Sequence, residues 1–290
     1  MYPAPFEYHS PQTLAEALAL LEQYGDDGKA IAGSQSLVPM MKLRLVSPQH
    51  LVDLRKLPGM TGIREAGGML VVGAMTTHRE VENNKLAQSK LAILSEAAAN
   101  IGDRQVRNMG TIGGSLSHAD PSADWPAVTL ALDASVQIVG KKGERSLKID
   151  QFILGPLTSV LAPGELIFDV RVPLPAARTG SAYEKCPHPA SRFAIVGVAA
   201  VLTLDAGGKV QAARVAVTGI GPKAARASQL EKALIGKAPD AATLQAAAAH
   251  ASDGIELRPD LTGSAAYKAH LASAYALRAL TKAAQRAGQK

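Results

Sequence analysis

The sequence predicts an α+β protein built from two domains. Its 290 residues are enough for two hydrophobic cores. Helix-like and strand-like patterns are mixed along the chain with no strict β-α-β alternation. Small and turn-forming residues gather in P-L-P-A-A-R-T-G, residues 173–180, where we expect the boundary between the domains. A hydrophobic content of 47% with 19% charged residues is typical of a folded globular chain.

The chain before this boundary predicts short strands and helices. Residues 10–25 have apolar side chains at helical spacing, at Leu14, Leu18 and Leu21, and Gly25 is a natural helix end. Short strands are predicted at 29–33, 51–54 and 69–73, and helices near Arg79 and at 91–101. The apolar runs at 128–132 and 136–139 are followed by G-K-K-G-E-R, which indicates a hairpin turn.

Beyond the boundary, the pattern is one hairpin followed by helices. Residues 194–204 and 210–218 read as strands, and D-A-G-G-K between them is a glycine turn. Helices are predicted at 224–234, 241–251 and 264–287. This half is therefore expected to hold an antiparallel sheet plus helices.

Composition narrows the classes of function. The net charge is +6, but aromatics make up only 4% and the basic residues are scattered, so we expect no nucleic-acid partner. The single cysteine, Cys186, excludes an intrachain disulfide and a self-contained Cys-ligated metal cluster. The seven histidines show no H-E-x-x-H pattern, so we expect no metal in this chain. No leader pattern and no apolar stretch of roughly 18 residues is seen, so a cytoplasmic protein with no membrane span is expected.

The first chemically informative segment is A-G-S-Q-S-L, residues 32–37. It follows a predicted strand and precedes a helical turn, where freed backbone N–H groups suit phosphate oxygens. Gly33 is expected to let a ligand approach the backbone, and Ser34 and Ser36 to add hydroxyl donors. An ordinary turn is the alternative interpretation.

The second segment is R-N-M-G-T-I-G-G-S-L-S-H-A-D-P-S-A-D-W, residues 107–125. Gly110, Gly113 and Gly114 leave backbone open to close approach, and Thr111 and Ser115 bracket the glycine pair with hydroxyls. Neither segment matches a P-loop or a Rossmann fingerprint. Two glycine loops about 75 residues apart instead suit a long ligand with two phosphates, gripped from both sides.

The polar residues that end the second segment receive separate expectations. Asp124 is expected to accept from a nucleotide, as carboxylates do near ribose hydroxyls, while Asp120 is expected to cap the helix that begins near Trp125. His118 is expected to be a structural hydrogen-bonding residue rather than a catalyst.

Four segments in register resemble one known family. These are F-E-Y-H-S-P-Q-T-L-A-E-A-L, the two glycine segments, and the pair A-Y-E-K and F-A-I-V-G-V-A-A. They are similar to the FAD-binding medium subunit of the molybdenum hydroxylases, the family of xanthine dehydrogenase and aerobic carbon monoxide dehydrogenase. The resemblance implies a two-part FAD-binding domain of the vanillyl-alcohol oxidase (PCMH) type over 1–176, with subdomains about 1–57 and 58–176. It implies a smaller α/β domain of the carbon monoxide dehydrogenase flavoprotein type over 177–290.

The resemblance also implies which residues hold FAD. They are Ala32, Gly33, Ser34, Gln35, Ser36 and Leu37 in the first loop, Thr111, Ile112, Gly113, Gly114 and Ser115 in the second, and Asp124, Leu161, Lys185 and Phe193. Residues 32–36 and 111–115 would meet the pyrophosphate and Asp124 the nucleotide. Leu161 would lie beside the flavin and Phe193 against its ring. For Lys185, two other interpretations stay open: a plain surface lysine, or a one-residue shift that places Glu184 by the flavin.

Three departures from the family pattern stand out. Relatives have a glycine where this chain has Ser34, which predicts a negative φ at that residue. Arg192 precedes Phe193 in place of an aspartate, and Phe193 lacks the hydroxyl of a tyrosine. With Cys186 alone, the chain cannot hold the extra iron–sulfur cluster of some distant relatives.

The family's function implies a chain that carries electrons and contributes no general acid, base or nucleophile. Substrate would be oxidised at the molybdenum cofactor of a large molybdopterin subunit, and two [2Fe–2S] clusters of a small iron–sulfur subunit would pass electrons to FAD. The acceptor would be a quinone, NAD or O₂, and the complex a dimer of heterotrimers. The substrate stays open among carbon monoxide, purines, N-heterocycles and aldehydes. The alternatives are a free-standing FAD-dependent oxidase or dehydrogenase, and a binding module without flavin.

Overall fold

The computed structural model describes residues 2–289. Its first part is a three-stranded parallel sheet with helices between the strands. The strands are β1 (Glu7–His9), β2 (Gly28–Ile31) and β3 (His50–Asp53), in the order β1-β3-β2, and the helices are α1 (Leu14–Tyr24) and α2 (Leu37–Lys42). Strict alternation is therefore present here, although the sequence does not predict it. The strands predicted at 29–33 and 51–54 are confirmed as β2 and β3, but β1 has only three residues, too few to show a period.

The first helix illustrates how local sequence sets an element's ends. The predicted helix is confirmed, but it begins at Leu14 because the Thr13 side chain accepts from the Glu16 N–H. It stops where Gly25 adopts a φ of 48°. Ala17 and Leu21 are buried, and α1 packs on the sheet through them.

The second part is a five-stranded antiparallel sheet. Its region contains β4 (Ile63–Ala66), β5 (Met69–Gly73), β6 (Ser135–Gly140), β7 (Gly143–Lys148), a separate small hairpin of β8 (Ile153–Gly155) and β9 (Thr158–Ser159), and β10 (Leu166–Pro173). The sheet order is β4-β5-β10-β6-β7. The hairpin predicted at G-K-K-G-E-R is confirmed as β6–β7.

Six short helices lie between β5 and β6 and carry the second glycine segment. They are α3 (His78–Asn83), α4 (Lys85–Lys90), α5 (Ala92–Asn100), α6 (Arg104–Met109), α7 (Ile112–His118) and α8 (Asp124–Ala131); α9 (Ile149–Phe152) follows β7. The predicted helix at 91–101 is confirmed as α5. Trp125, Ile112 and Leu116 are fully buried and anchor α7 and α8 in the core of this part.

The third part is a four-stranded antiparallel sheet with three helices. The strands are β11 (Thr179–Pro187), β12 (Ala194–Leu204), β13 (Val210–Thr218) and β14 (Ala225–Arg226), and the helices are α10 (Ser228–Leu234), α11 (Ala241–Ala248) and α12 (Ala265–Gly288). The predicted hairpin is confirmed as β12–β13. The helix predicted from 224 begins only at Ser228, because residues 225–226 pair with β13 instead.

Both faces of this last sheet are buried. Val198, Ala200 and Leu202 of β12 face the helices of the third part, whereas Ala199 and Val201 join the core of the second part. The double burial explains why β12 reads as a nearly continuous apolar run rather than an alternating one. The third part therefore packs directly against the second part and shares a hydrophobic core with it.

Between residues 2 and 289, no helix combines the length and the apolar composition needed to cross a membrane.

We predict that Gly180→Val in β11 destabilises the protein. A Cβ at Gly180 would overlap the carbonyl oxygen of Ala283 and the backbone nitrogen of Ala287, so α12 rests directly on the strand backbone. Overpacking of this kind lowers the free energy of unfolding by about 1–3 kcal/mol. Denaturant unfolding measures it. Gly288→Ala on α12, where a Cβ meets nothing within 4 Å, is the control and should unfold like the wild type; equal stability of both variants would contradict the packing.

Candidate functional site

The two glycine loops meet at one cleft with a volume of about 700 Å³, a size typical of cofactor sites. Of the residues predicted for the site, these line it: Ala32, Gly33, Ser34, Gln35, Ser36, Leu37, Thr111, Gly113, Gly114, Ser115, Asp124, Leu161 and Phe193. Ile112 and Lys185 lie behind the wall of the cleft. The structure therefore brings together residues from all three parts of the chain.

Close backbone packing joins the two loops. A Cβ on Gly33 would overlap the Met109 carbonyl and the Gly110 Cα, so the space that a side chain would need is filled by the other loop. A Cβ on Gly113 would overlap the Cβ, the carbonyl oxygen and the Cα of Ala74. Gly33 thus serves the contact between the loops, a role that the sequence did not predict, and it also lines the cleft.

The first loop presents unused backbone donors to the cleft. Within residues 2–289, the N–H groups of residues 33–37 donate to no protein acceptor. Five consecutive free donors beside a cleft form the kind of concavity that binds anions. Gln35 is held in place by a bond from its Nε2 to the Gly33 carbonyl, 3.1 Å long.

The backbone at Ser34 corrects one expectation. Its φ is +64°, so the predicted negative φ is wrong. A single non-glycine residue in the left-handed region costs about 1–3 kcal/mol, which a well-packed surrounding can offset. Here the Ser34 hydroxyl donates to the Ala32 carbonyl at 3.3 Å, and the Ser34 carbonyl accepts from the Val38 N–H at 3.2 Å. The loop therefore keeps a backbone conformation typical of glycine at position 34, although the residue there is serine.

The second loop has few free donors. The first three N–H groups of α7 are bonded within the protein, to the carbonyls of Thr76 and Ala74 and to the Thr111 hydroxyl. The Ile112 side chain is fully buried in the core. This loop therefore offers the cleft a smooth backbone surface and the Ser115 hydroxyl, rather than a second set of amides.

Asp124 sits at the junction of the domains. It is the first residue of α8, and its carboxylate accepts from the Tyr183 hydroxyl at 2.5 Å and from Lys185 Nζ at 2.8 Å. Lys185 also donates to the Asn100 carbonyl at 2.9 Å. The side chains of Lys185 and Asp124 are 1% and 5% exposed, so the surface interpretation of Lys185 is wrong. Glu184, on the opposite face of β11, points to Lys282 instead.

Burial dominates the electrostatics of this cluster. It raises the pKa of the Asp124 carboxyl, which the charge and hydrogen bond of Lys185 lower in part. It lowers the pKa of Lys185, against the opposing effect of Asp124, and raises the pKa of Tyr183 well above its usual value. Each charge is tolerated because the other is present, which makes the removal of one partner costly.

Two polar residues near the second loop differ from expectation. Asp120 does not cap α8: it accepts from the Ser122 N–H at 2.8 Å, and the N-cap is Ala123 without a side-chain bond. Pro121 favours a turn over residues 120–122, so Asp120 lies in this turn before the helix and not at its N-cap. His118 lines the cleft, but within residues 2–289 its ring makes no hydrogen bond, so the expected structural bond is not found.

The structural histidine is His78, which sequence patterns did not single out. Its Nδ1 accepts from Trp125 Nε1 at 3.1 Å, and burial lowers its pKa to about 3, so the ring is neutral. A Cβ on Gly110 would meet this ring, so His78 packs directly against the second loop at the wall of the cleft. His78 lies 47 residues from Trp125 in the chain, so no local spacing in the sequence indicated that the two side chains would be bonded.

The remaining wall of the cleft also escaped sequence reasoning, apart from two residues. The segment 161–167, which follows β9 and includes the first two residues of β10, lines one side. Ser191, Arg192 and Phe193, in the turn between β11 and β12, form the rim, and Phe193 is 43% exposed. Arg192 has a φ of +58°, and the turn is closed by the bond from the His188 N–H to the Phe193 carbonyl.

We predict that Lys185→Met lowers the free energy of unfolding by about 3–5 kcal/mol, because it leaves the Asp124 carboxylate buried without its partner. The double variant Asp124→Asn, Lys185→Met should recover much of this loss. Because the folded-state pKa of Asp124 rises further without Lys185, the deficit is present at alkaline pH and shrinks as the pH falls and the carboxyl protonates.

Denaturant unfolding at several pH values measures both effects. The control is Lys282→Met, which removes two partly exposed ion pairs, with Glu96 and Glu184, and should change stability by less than about 1 kcal/mol. A deficit in Lys185→Met that is independent of pH, or a double variant no more stable than the single one, would show that the pair does not behave as described.

Family comparisons cover both halves of the chain. The family model described as FAD binding domain in molybdopterin dehydrogenase matches residues 4–175. A second model, described as CO dehydrogenase flavoprotein C-terminal domain, matches residues 181–283.

Individual relatives match over almost the full length. The chain is 41% identical to the carbon monoxide dehydrogenase medium chain of Hydrogenophaga pseudoflava, over 98% of each chain. It is 40% identical to the 6-hydroxypseudooxynicotine dehydrogenase complex subunit alpha of Paenarthrobacter nicotinovorans, over 99% of this chain and 97% of that one. The structure of H. pseudoflava carbon monoxide dehydrogenase lacking the Mo-pyranopterin moiety matches with a TM-score of 0.94, 43% identity and 99% of both chains covered. The chain therefore belongs to the family of FAD-binding medium subunits of the molybdenum hydroxylases, the FAD-dependent oxidoreductase components of multisubunit enzymes.

Proposed function

We propose that this chain receives electrons from two [2Fe–2S] clusters of a small partner subunit and delivers them through FAD to an external acceptor: a quinone, NAD or O₂. The observation that carries the proposal is the convergence of both glycine loops on one cleft, with five free N–H donors on one side. When bound, FAD supplies the capacity to accept and release electrons.

The residues of the cleft fit such a group. The N–H groups of residues 33–37 would hold the diphosphate, because they are unbonded donors facing one concavity. Gly114 and Ser115 would face them, where the absence of a Cβ at Gly114 keeps the backbone accessible. Leu161 and Phe193 would contact the flavin, and the lack of a hydroxyl on Phe193 removes a hydrogen bond there.

Asp124 lines the cleft and would bind the nucleotide. Lys185 does not line the cleft, so its proposed role is to hold that carboxylate in position and charged. Lys185 would thus affect the ligand only through Asp124, which would contact the ligand itself.

The domain division follows the change of sheet. We propose an FAD-binding domain at 1–176, with subdomains about 1–57 and 58–176, and a C-terminal domain at 177–290. In support, β10 ends at Pro173 in the second sheet and β11 begins at Thr179 in the third.

The partners would be a large molybdopterin subunit and a small iron–sulfur subunit, arranged as a dimer of heterotrimers in the cytoplasm. The names of two relatives, a medium chain and a complex subunit, support such an assembly. Those names include different substrates, carbon monoxide and 6-hydroxypseudooxynicotine, at nearly equal identity. The large subunit would therefore select the substrate.

We predict that Gly114→Val removes bound FAD. A Cβ there would lie 2.8 Å from the Thr111 hydroxyl and turn it away from the Gly114 N–H, and the added methyl groups would stand in the cleft. Flavin per chain after gel filtration, read from its visible absorbance, measures the loss. Gly155→Val, at a glycine where a Cβ meets nothing within 4 Å, is the control and should keep its flavin. Full flavin content in Gly114→Val would refute the assignment of the loop.

A second prediction concerns the division of labour. The isolated flavin-loaded chain should oxidise no small substrate, since substrate oxidation would take place on the large subunit. Tagged chain from its native host should co-purify with a molybdenum protein and a cysteine-rich iron–sulfur protein. Substrate oxidation by the chain alone would instead identify a free-standing flavoenzyme.

A further inference from the structure

Three side chains of the first sheet place metal-ligand atoms within bonding reach of one point. Glu7 and His9 lie on β1 and His50 on β3, and none of the three lines the FAD cleft. His9 Nε2 is 3.2 Å from His50 Nδ1, and Glu7 Oε2 is 3.4 Å from the same His50 nitrogen. Glu7 Oε2 and His9 Nε2 are 4.0 Å apart.

The pairing of the strands creates this arrangement. β1 and β3 are parallel neighbours, and Glu7 lies directly opposite His50 in the register. Glu7 and His9 share a face of β1 because successive side chains alternate. The two histidines are 41 residues apart in the chain, so no local spacing in the sequence announces the cluster.

Tyr24 holds the two imidazoles in place. Its ring stacks on His50 with centroids 3.7 Å apart and planes 9° apart, and it stacks on His9 at 4.9 Å. Gly28 makes this possible, because a Cβ there would lie 2.8 Å from the Tyr24 Cβ. The histidine side chains are 21% and 18% exposed and Glu7 is 71% exposed, so the cluster is fixed on one side and open to water on the other.

The triangle of atoms matches a transition metal. A circle through three points at these separations has a radius of about 2.1 Å, so one position lies at that distance from all three atoms. Zn–N and Zn–O bonds are about 2.0–2.2 Å, and two imidazoles with one carboxylate are a common donor set for zinc. We propose that Glu7, His9 and His50 form a Zn²⁺ site, with water as the fourth ligand.

Such an ion would tie strand β1 to strand β3. β1 is only three residues long and lies at the edge of its sheet, so it gains little from its own pairing. Because zinc would bind the folded arrangement and not the unfolded chain, it would stabilise this sheet. The proposal stands on these residues alone and does not depend on the function of the cleft.

The test is a Zn²⁺ titration of the full chain in competition with a chromophoric chelator. We expect one equivalent to bind the wild type, and the affinity to fall at least about tenfold in His50→Gln and in Glu7→Gln, since changes to the outer shell of a metal site already cost roughly 10–100-fold. The control is His270→Gln, an exposed histidine on α12, which should bind like the wild type. Zn²⁺ should also raise the Tm of the wild type and the control, but not of the two variants.

Two results would overturn the site: no stoichiometric Zn²⁺ binding by the wild type, or equal affinity in the wild type and Glu7→Gln. Either would mean that the cluster is only a His–His hydrogen bond with a carboxylate nearby. Glu7 is largely exposed, so this variant tests the proposal even where His50→Gln fails to fold. The far-UV circular dichroism and flavin content of each variant establish that it is folded.

Discussion

Backbone contact between the two glycine loops is the constraint on which the cleft depends. Gly33 lies against the backbone of Met109 and Gly110, and Gly113 lies against the Cβ and the backbone of Ala74. These contacts hold the first sheet, the six-helix segment and the residue that follows β5 close together. A site assembled in this way loses little side-chain entropy when a ligand binds, because its donors are main-chain groups fixed by packing.

The rest of the site depends on how the C-terminal domain docks. Its sheet contributes Tyr183, Ala199 and Val201 to the core beneath the cleft. Lys185 of the same sheet forms an ion pair with the Asp124 carboxylate. Removing that domain would expose an apolar face and leave a buried carboxylate without its partners. The two domains are therefore one structural unit at the cleft, although each has helices and a sheet of its own.

Local patterns predicted much of the fold where elements are long enough to show a period. The hairpin of β12 and β13 and the helix α5 were predicted close to their observed ends, since they span nine residues or more. Strands β2 and β3 were predicted, but β1 and the parallel pairing of the three were not, since each strand has only three or four residues and pairs with a distant one. The same limit hid the cluster of His9 and His50, and the support that His78 gives to the second loop.

The sequence by itself determined the class of fold and the two glycine loops, because composition and short-range spacing carry that information. Only the tertiary structure decided what individual residues do. Ser34 adopts a positive φ because its neighbours bond to it, Gly33 serves a contact with the other loop, and Lys185 is buried against Asp124. The partners of Gly33 and Lys185 are far away in the chain and meet these residues only after the sheets have packed, whereas Ser34 is held by hydrogen bonds with Ala32 and Val38.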